Sequence, residues 1–246
     1  GTIFGDICSF LDGKPERIHL DECMRVERKE MVEAAERVRE GHFPNVEIKE
    51  SLEIEEWATH FPKPFLGRPN LKKLFKELKQ FRILSSLRQG HWGVENLNEK
   101  IFACLQKGFV SGGVWPIPIL VTKTDYKRDI FNGDSGILIK TSKMPFLEKE
   151  DIVFFERGES FYSFPALLLL GFEMAYALSV HKSQGSEYDR VVLIVPKGAE
   201  KLGKEVLYTG MTRARKEIDI VGEKEVISSL LKHSGKKISG ILRRLA

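Results

Sequence analysis

The stretch "YALSVHKSQGSEYDRVVLIVP" (176–196) constrains the fold more than any other. Its second apolar run, Val191-Val192-Leu193-Ile194-Val195, keeps no polar residue for a wet face, so a strand built from it is covered on both sides. The first run, 176–180, breaks into His181-Lys182-Ser183-Gln184-Gly185 before the apolar residues return. A polar element carried on a buried sheet is where α/β proteins place ligand contacts.

The rest of the chain keeps an α/β rhythm. Helices are expected over 21–41, 71–80 and 93–108, the first with Met24, Met31, Ala34, Ala35 and Val38 on one face and Gly41 as its stop. In the third, Val94, Leu97, Ile101 and Leu105 make one stripe. Buried strands are expected at 81–87 and 117–123. From 124 to 165 the texture changes to short β-like pieces, "SGILIKT", "DIVFFE" and "SFYSF", punctuated by Asn132-Gly133-Asp134 and Arg157-Gly158-Glu159. That pattern suits a small antiparallel barrel inserted into the α/β domain. The rhythm then returns, with strands near 174–180, 190–195 and 217–221 and helices near 202–214 and 223–232. Strands alternating with helices argue for a parallel sheet whose working loops lie at the carboxyl ends of the strands.

With 246 residues, 42% hydrophobic and 30% charged, the chain has room for one large domain or two small ones. A net charge of +4 is only a weak pointer to nucleic acid. Cys8, Cys23 and Cys104 lie far apart with no CxxC pair, which suggests reduced thiols in a cytoplasm rather than a disulfide frame or a zinc site. The apolar stretch "FPALLLLGF" (164–172) is too short for a membrane span. No signal peptide precedes the first expected strand. "GTIFGD" opens abruptly, as in a chain cut from a larger one.

No phosphate loop of the form G-x-x-x-x-G-K-[ST] occurs, and no strand ends in a clear acidic pair for magnesium. A second signal is "LYTGMTRARKEIDIVG" (207–222), which places Arg213 and Arg215 at the end of an expected helix, just before a strand. On a helix these two point to different faces. A forked, always-charged guanidinium is what a phosphoryl-transfer site uses to stabilise developing charge.

"VHKSQGSEYDRVVLIVP" followed by "LYTGMTRARKEIDIVG" resembles motifs V and VI of superfamily 1 DNA helicases, in wording nearest to the RecD family. "RILSSLRQGHWGVENLNEKI" (82–101) is similar to a RecD stretch ending in Gly-hydrophobic-x-x-Leu-Asn. "PILVTKTDYKRDIFNGDSGILI" (118–139) is similar to the start of the barrel inserted in the second motor domain. "FGDICSF" and "HLDECMRVERKEM" resemble the segment after motif III and motif IV.

The resemblance implies an α/β, RecA-like parallel sheet: a second motor domain over 1–123 and 166–246, with an SH3-like β-barrel inserted at 124–165. It implies an ATP-dependent helicase that moves on single-stranded DNA, five-prime to three-prime, in double-strand break repair and recombination. RecB-like and RecC-like subunits would be its partners in an exodeoxyribonuclease V. ATP and Mg2+ would be held mostly by an N-terminal motor domain of the same protein, and this chain alone would not turn over ATP. Arg213 matches the motif VI arginine finger, with Tyr208 and Thr212 holding it. Arg25 matches the motif IV arginine, although Met24 and Val26 stand where the family has an aromatic pair. Glu187, with Gly185 beside it, matches the part of motif V that reaches the nucleotide. His181, Lys182, Ser183 and Gln184 match the part that lies along the DNA backbone.

Plainer readings exist for each feature. An arginine such as Arg213 or Arg25 commonly sits on a solvated, ion-paired face, and His181 can be a satisfied buried histidine. Trp57, Trp92 and Trp115 can stack on bases or simply pack. Two rival functions remain beside the first: a RecD-like helicase working without RecB or RecC, and a non-catalytic module that binds single-stranded DNA or a partner.

Overall fold

The computed structural model describes residues 7, 8, 10–14, 29–51, 53–144 and 146–233. Arg25, Cys23 and the basic tail from 234 onward lie outside them, as does the first part of the helix expected at 21–41.

Five strands form one parallel sheet in the order β1 (Ile48–Lys49), β10 (Ala214–Val221), β9 (Tyr188–Ile194), β2 (Phe81–Ser85), β8 (Ala177–Ser179). The two-residue period of a strand divides its side chains between two cores. Phe81, Ile83, Ala177, Val192 and Ile194 join one hydrophobic cluster; Leu84, Leu178, Val191, Leu193 and Val195 join the other. Helices α2 (Ile54–Ala58), α3 (Leu71–Gln80) and α4 (Val94–Gln106) contribute Trp57, Phe75, Leu97 and Ile101 to the first cluster. Helices α1 (Lys29–Glu40), α5 (Lys204–Met211) and α6 (Lys224–Lys232) contribute Ala34, Val38, Leu207 and Ile227 to the second. Each fully buried Val, Leu or Ile contributes about 1.5–3 kcal/mol. The uninterrupted 191–195 run is therefore explained by a cover of helices on each face.

The second sheet is antiparallel, in the order β6 (Ser160–Pro165), β5 (Ile152–Arg157), β4 (Ser135–Lys140), β3 (Trp115–Val121), β7 (Phe172–Met174). A 3-10 turn at Ala166–Leu168 precedes β7. The strand expected at 117–123 thus pairs antiparallel with β4 and β7, not within the parallel sheet. The single strand expected near 174–180 is two strands, β7 and β8, which belong to different sheets. Antiparallel pairing accordingly begins upstream of 124 and ends beyond 165. Both sheets share one core: the ring of Trp115 is fully buried and stacks on Phe102 of α4 at 4.4 Å.

The hand-over between sheets lies at Ala175, and it is closed by an arginine. Ala175 N donates to the Pro118 carbonyl at 2.8 Å, continuing the β3–β7 register by one pair. Proline has no N–H to return the bond. The Ala175 carbonyl instead accepts from the Arg82 guanidinium, which also donates to Leu78 O at 3.1 Å and lies over the Tyr188 ring. Arg82 is buried, and it supplies the donor that Pro118 lacks.

Candidate nucleotide and nucleic-acid site

After β8 the chain makes a compact turn over 181–185 and returns across the sheet to start β9 at Tyr188. Val180 N donates to Ser85 O at 3.1 Å, Ser183 N to Ser179 O at 3.1 Å, and Ser186 N to Ser183 O at 3.0 Å. Gly185 sits at φ 89, in the left-handed region, with open space around it. Glycine meets that backbone demand without strain.

The side chains of the turn divide by exposure. His181, Gln184 and Glu187 are exposed. The Lys182 ammonium is half-buried and donates to Glu173 Oε1 at 2.7 Å, tying the turn to β7. Ser183 is fully buried, and its hydroxyl donates to Val180 O at 2.8 Å. In this arrangement Ser183 holds the turn closed. The edge strand β8 is braced from outside by Asn98 of α4, whose amide accepts from Ala177 N at 2.9 Å and donates to Ala177 O at 3.0 Å. That side chain occupies the place of a sixth strand, and it is the Asn of the Leu-Asn pair in the sequence.

Motif VI meets the turn at the amino ends of β9 and β10. Helix α5 ends at Met211, with Thr212 as its C-cap, and β10 begins at Ala214. Arg213 is therefore in the junction, and Arg215 lies in a strand; neither is helical. Tyr208 and Thr209 lie in the last turn of α5. The Arg213 main-chain carbonyl accepts from Tyr188 N at 2.9 Å. Its guanidinium donates to Ser186 O and Thr209 O, each at 3.2 Å, and to Thr212 Oγ1 at 3.3 Å. Only 5% of Arg213 is exposed. Arg213 and the 185–187 segment are thus in direct contact although 27 residues separate the bonded pair.

Sequence reasoning missed Arg82, Asn98 and Ser85. Ser85 Oγ donates to Trp92 O at 2.8 Å while Ser85 O receives Val180 N, so one residue fixes both loops at this edge. The polar letters Arg82 and Ser85 inside "FRILSS" were the available signal, since a polar residue in a buried strand calls for a partner.

A charged network crosses the neighbouring strands. Burial alone would raise the Asp219 carboxyl, but hydrogen bonds from Arg190 and Lys49 outweigh it and hold the group below its usual value. The hydrogen bond to Asp219 raises Lys49 in turn. Among the described residues no group of three His, Cys, Asp or Glu side chains is placed to hold a metal ion. Nor is any helix among them long and apolar enough to cross a membrane.

Residues 174–221, which span β8, the turn, β9, α5 and β10, match the family model of the UvrD-like helicase C-terminal domain. The fold resembles the crystal structure of the Pif1 helicase from Candida albicans, with a TM-score of 0.51 at 14% identity, covering 92% of this chain and 60% of that one. The class is that of an α/β, RecA-like motor domain of superfamily 1 DNA helicases. Within it the chain is related to RecD. It is 30% identical over 181 residues to the RecBCD enzyme subunit RecD of Buchnera aphidicola subsp. Schizaphis graminum, covering 68% of this chain and 29% of that protein. It is 29% identical over 143 residues to the ATP-dependent RecD2 DNA helicase of Deinococcus radiodurans, covering 54% of this chain and 19% of that protein. The chain therefore spans less than a third of the length of these relatives.

Proposed function

We propose that this chain serves as the second motor domain of a RecD-like, ATP-dependent helicase that moves on single-stranded DNA. The contact of the Arg213 guanidinium with Ser186 O, beside Glu187, carries this reading. It brings a cation suited to phosphate next to a carboxylate suited to ribose hydroxyls. These residues, with Gly185, fit one flank of a nucleotide. When bound, ATP supplies the phosphoryl group whose transfer drives movement. Its phosphate loop and Mg2+ ligands belong, on this reading, to a first motor domain in the same protein. Arg25 is proposed as a second phosphate-facing arginine on the strength of its motif alone.

The carboxyl end of β8 offers the nucleic-acid face. His181, Lys182 and Gln184 would grip backbone phosphates without reading sequence, on a turn that Ser183 and Gly185 shape. Because both contacts ride on one domain, closure onto a nucleotide would displace the strand. The 3-10 turn and the β7-β3-β4-β5-β6 order support an SH3-like reading of the antiparallel unit. RecB-like and RecC-like partners are proposed from the name of the Buchnera relative, a RecBCD enzyme subunit, and a cytoplasmic setting and a role in break repair are proposed with them. The Deinococcus relative is named as a DNA helicase and not as a subunit, which keeps the alternative of a helicase without those partners as the second reading.

The deciding experiment is the DNA-stimulated ATPase of this domain joined to its first motor domain, with and without Arg213→Ala. A loss of at least about a thousand-fold in turnover with ATP binding kept places Arg213 at the transferring phosphate. Unchanged turnover leaves it as the brace that its 5% exposure also allows, and the chain as a single-strand-binding module.

A further inference from the structure

A cavity of about 340 Å³ opens at the carboxyl ends of β1, β10, β9 and β2, outside the residues assigned above. It lies across the loop 86–93 from the 181–185 turn, on the same edge of the parallel sheet. We propose that this cavity takes an unstacked base of the single strand whose phosphates the 181–185 turn holds; the proposal rests on the single-strand reading just given.

The cavity is built, not incidental. Its floor includes Gly222, where a Cβ would meet Val195 O at 2.5 Å, so a larger residue would push the strand ends apart. Its wall is the loop after β2. That loop is wound tightly: Gly90 sits at φ 99, Gly93 N donates to Gly90 O at 3.0 Å, and a Cβ on Gly93 would lie 2.5 Å from Gln89 O. Ser85 Oγ pins the loop through Trp92 O. The winding presents His91 and Trp92 to the cavity, with their rings edge-on at 4.6 Å. Lys100 Nζ stands 4.4 Å from the Trp92 ring centroid.

The chemistry of the lining selects a base. Leu87, Val195 and Val221 make the interior apolar, and Trp92 gives it an aromatic wall, as a stacked base requires. Glu50 and Glu223 also face the cavity, and the Lys197 ammonium is held by Glu223 at 2.9 Å. Two carboxylates repel a phosphate, so the backbone stays outside, toward the turn. The volume falls within the range of small-molecule pockets.

Tryptophan fluorescence reads this site directly. Trp57 and Trp115 are 5% and 0% exposed, which leaves Trp92 as the partly exposed indole of the three in the sequence. Titration of the chain with a twelve-residue oligothymidylate is expected to quench the emission. Trp92→Phe should keep the affinity and lose the signal. Trp92→Ala should weaken binding about tenfold with an unchanged salt slope, since one stacked base is lost and no phosphate contact. The same oligonucleotide with abasic sites should bind wild type as weakly as the intact strand binds Trp92→Ala. Equal affinity of wild type and Trp92→Ala for the intact strand overturns the cavity assignment alone. Failure of the wild type, both alone and joined to its first motor domain, to bind any single strand overturns the parent reading, and the cavity assignment with it.

Discussion

The Lys182 ammonium lies 2.7 Å from a Glu173 oxygen, so a phosphate at the turn must compete with a carboxylate already in place. Glu173→Gln removes the competitor. It should tighten single-strand binding a few-fold and steepen the salt dependence by up to about one counterion, measured by titration at several salt concentrations. Looser binding would show that the pair orients Lys182 rather than restrains it. Gly185 carries a different demand. Its φ of 89 lies where a Cβ is strained, and nothing nearby would clash. Gly185→Ala should therefore cost about 1 kcal/mol through backbone strain alone, with Gly185→Asn costing less; urea unfolding separates the two. His60, stacked on Phe81 at 4.4 Å, titrates below its ordinary value of 6.5, chiefly through burial and then through the Arg190 charge. The unfolded chain then binds the extra proton first, so stability is full above about 6.5 and falls as pH drops toward the lower folded-state value. His60→Gln should flatten that decline between pH 7 and 5. An identical decline in both proteins would assign the pH dependence to other groups.

Helix α4 was legible because Val94, Leu97, Ile101 and Leu105 fall on one stripe, and all four are buried. The ladder bond made by Asn98 was not legible, since no periodicity reports what an edge strand lacks. Asn98→Ala leaves an N–H and a carbonyl of Ala177 without their partner, at about 1–3 kcal/mol each if both stay dry. The variant should lose that stability and protect the 177–180 amides less from hydrogen exchange. An exchange pattern like wild type would mean that water replaces the side chain. Strand β3 shows the limit from another side. "WPIPILV" reads as a buried strand in either sheet, and only the prolines, which cannot donate to a ladder, argued against a central parallel position. The polar run 181–185 announced itself by composition. The inward aim of Arg213 did not, because side-chain direction at a helix–strand junction depends on tertiary neighbours.

Both sheets bury their side chains in a common cluster that runs from Trp57 and Leu97 through Trp115 to Val153 and Val192. The described chain should therefore unfold in one transition, with Trp115 emission and the far-ultraviolet dichroism changing together. Two separated transitions would make the antiparallel unit an independent domain. The α/β architecture was readable from the alternation of strands and helices, whereas the shared core was not, because turn-rich β pieces look the same attached or free.

The strand order also dictates when the parallel sheet can exist. Strand β1 finds its partner only at Ile220 and Val221, and β2 is flanked by β8 and β9, both made much later. During synthesis β2 must wait, unpaired, for roughly ninety residues to emerge before β8 can reach it, and β1 waits far longer for β10. Nascent chains arrested before β9 should thus be open to protease and to one another, and they should become resistant only once β10 has left the ribosome.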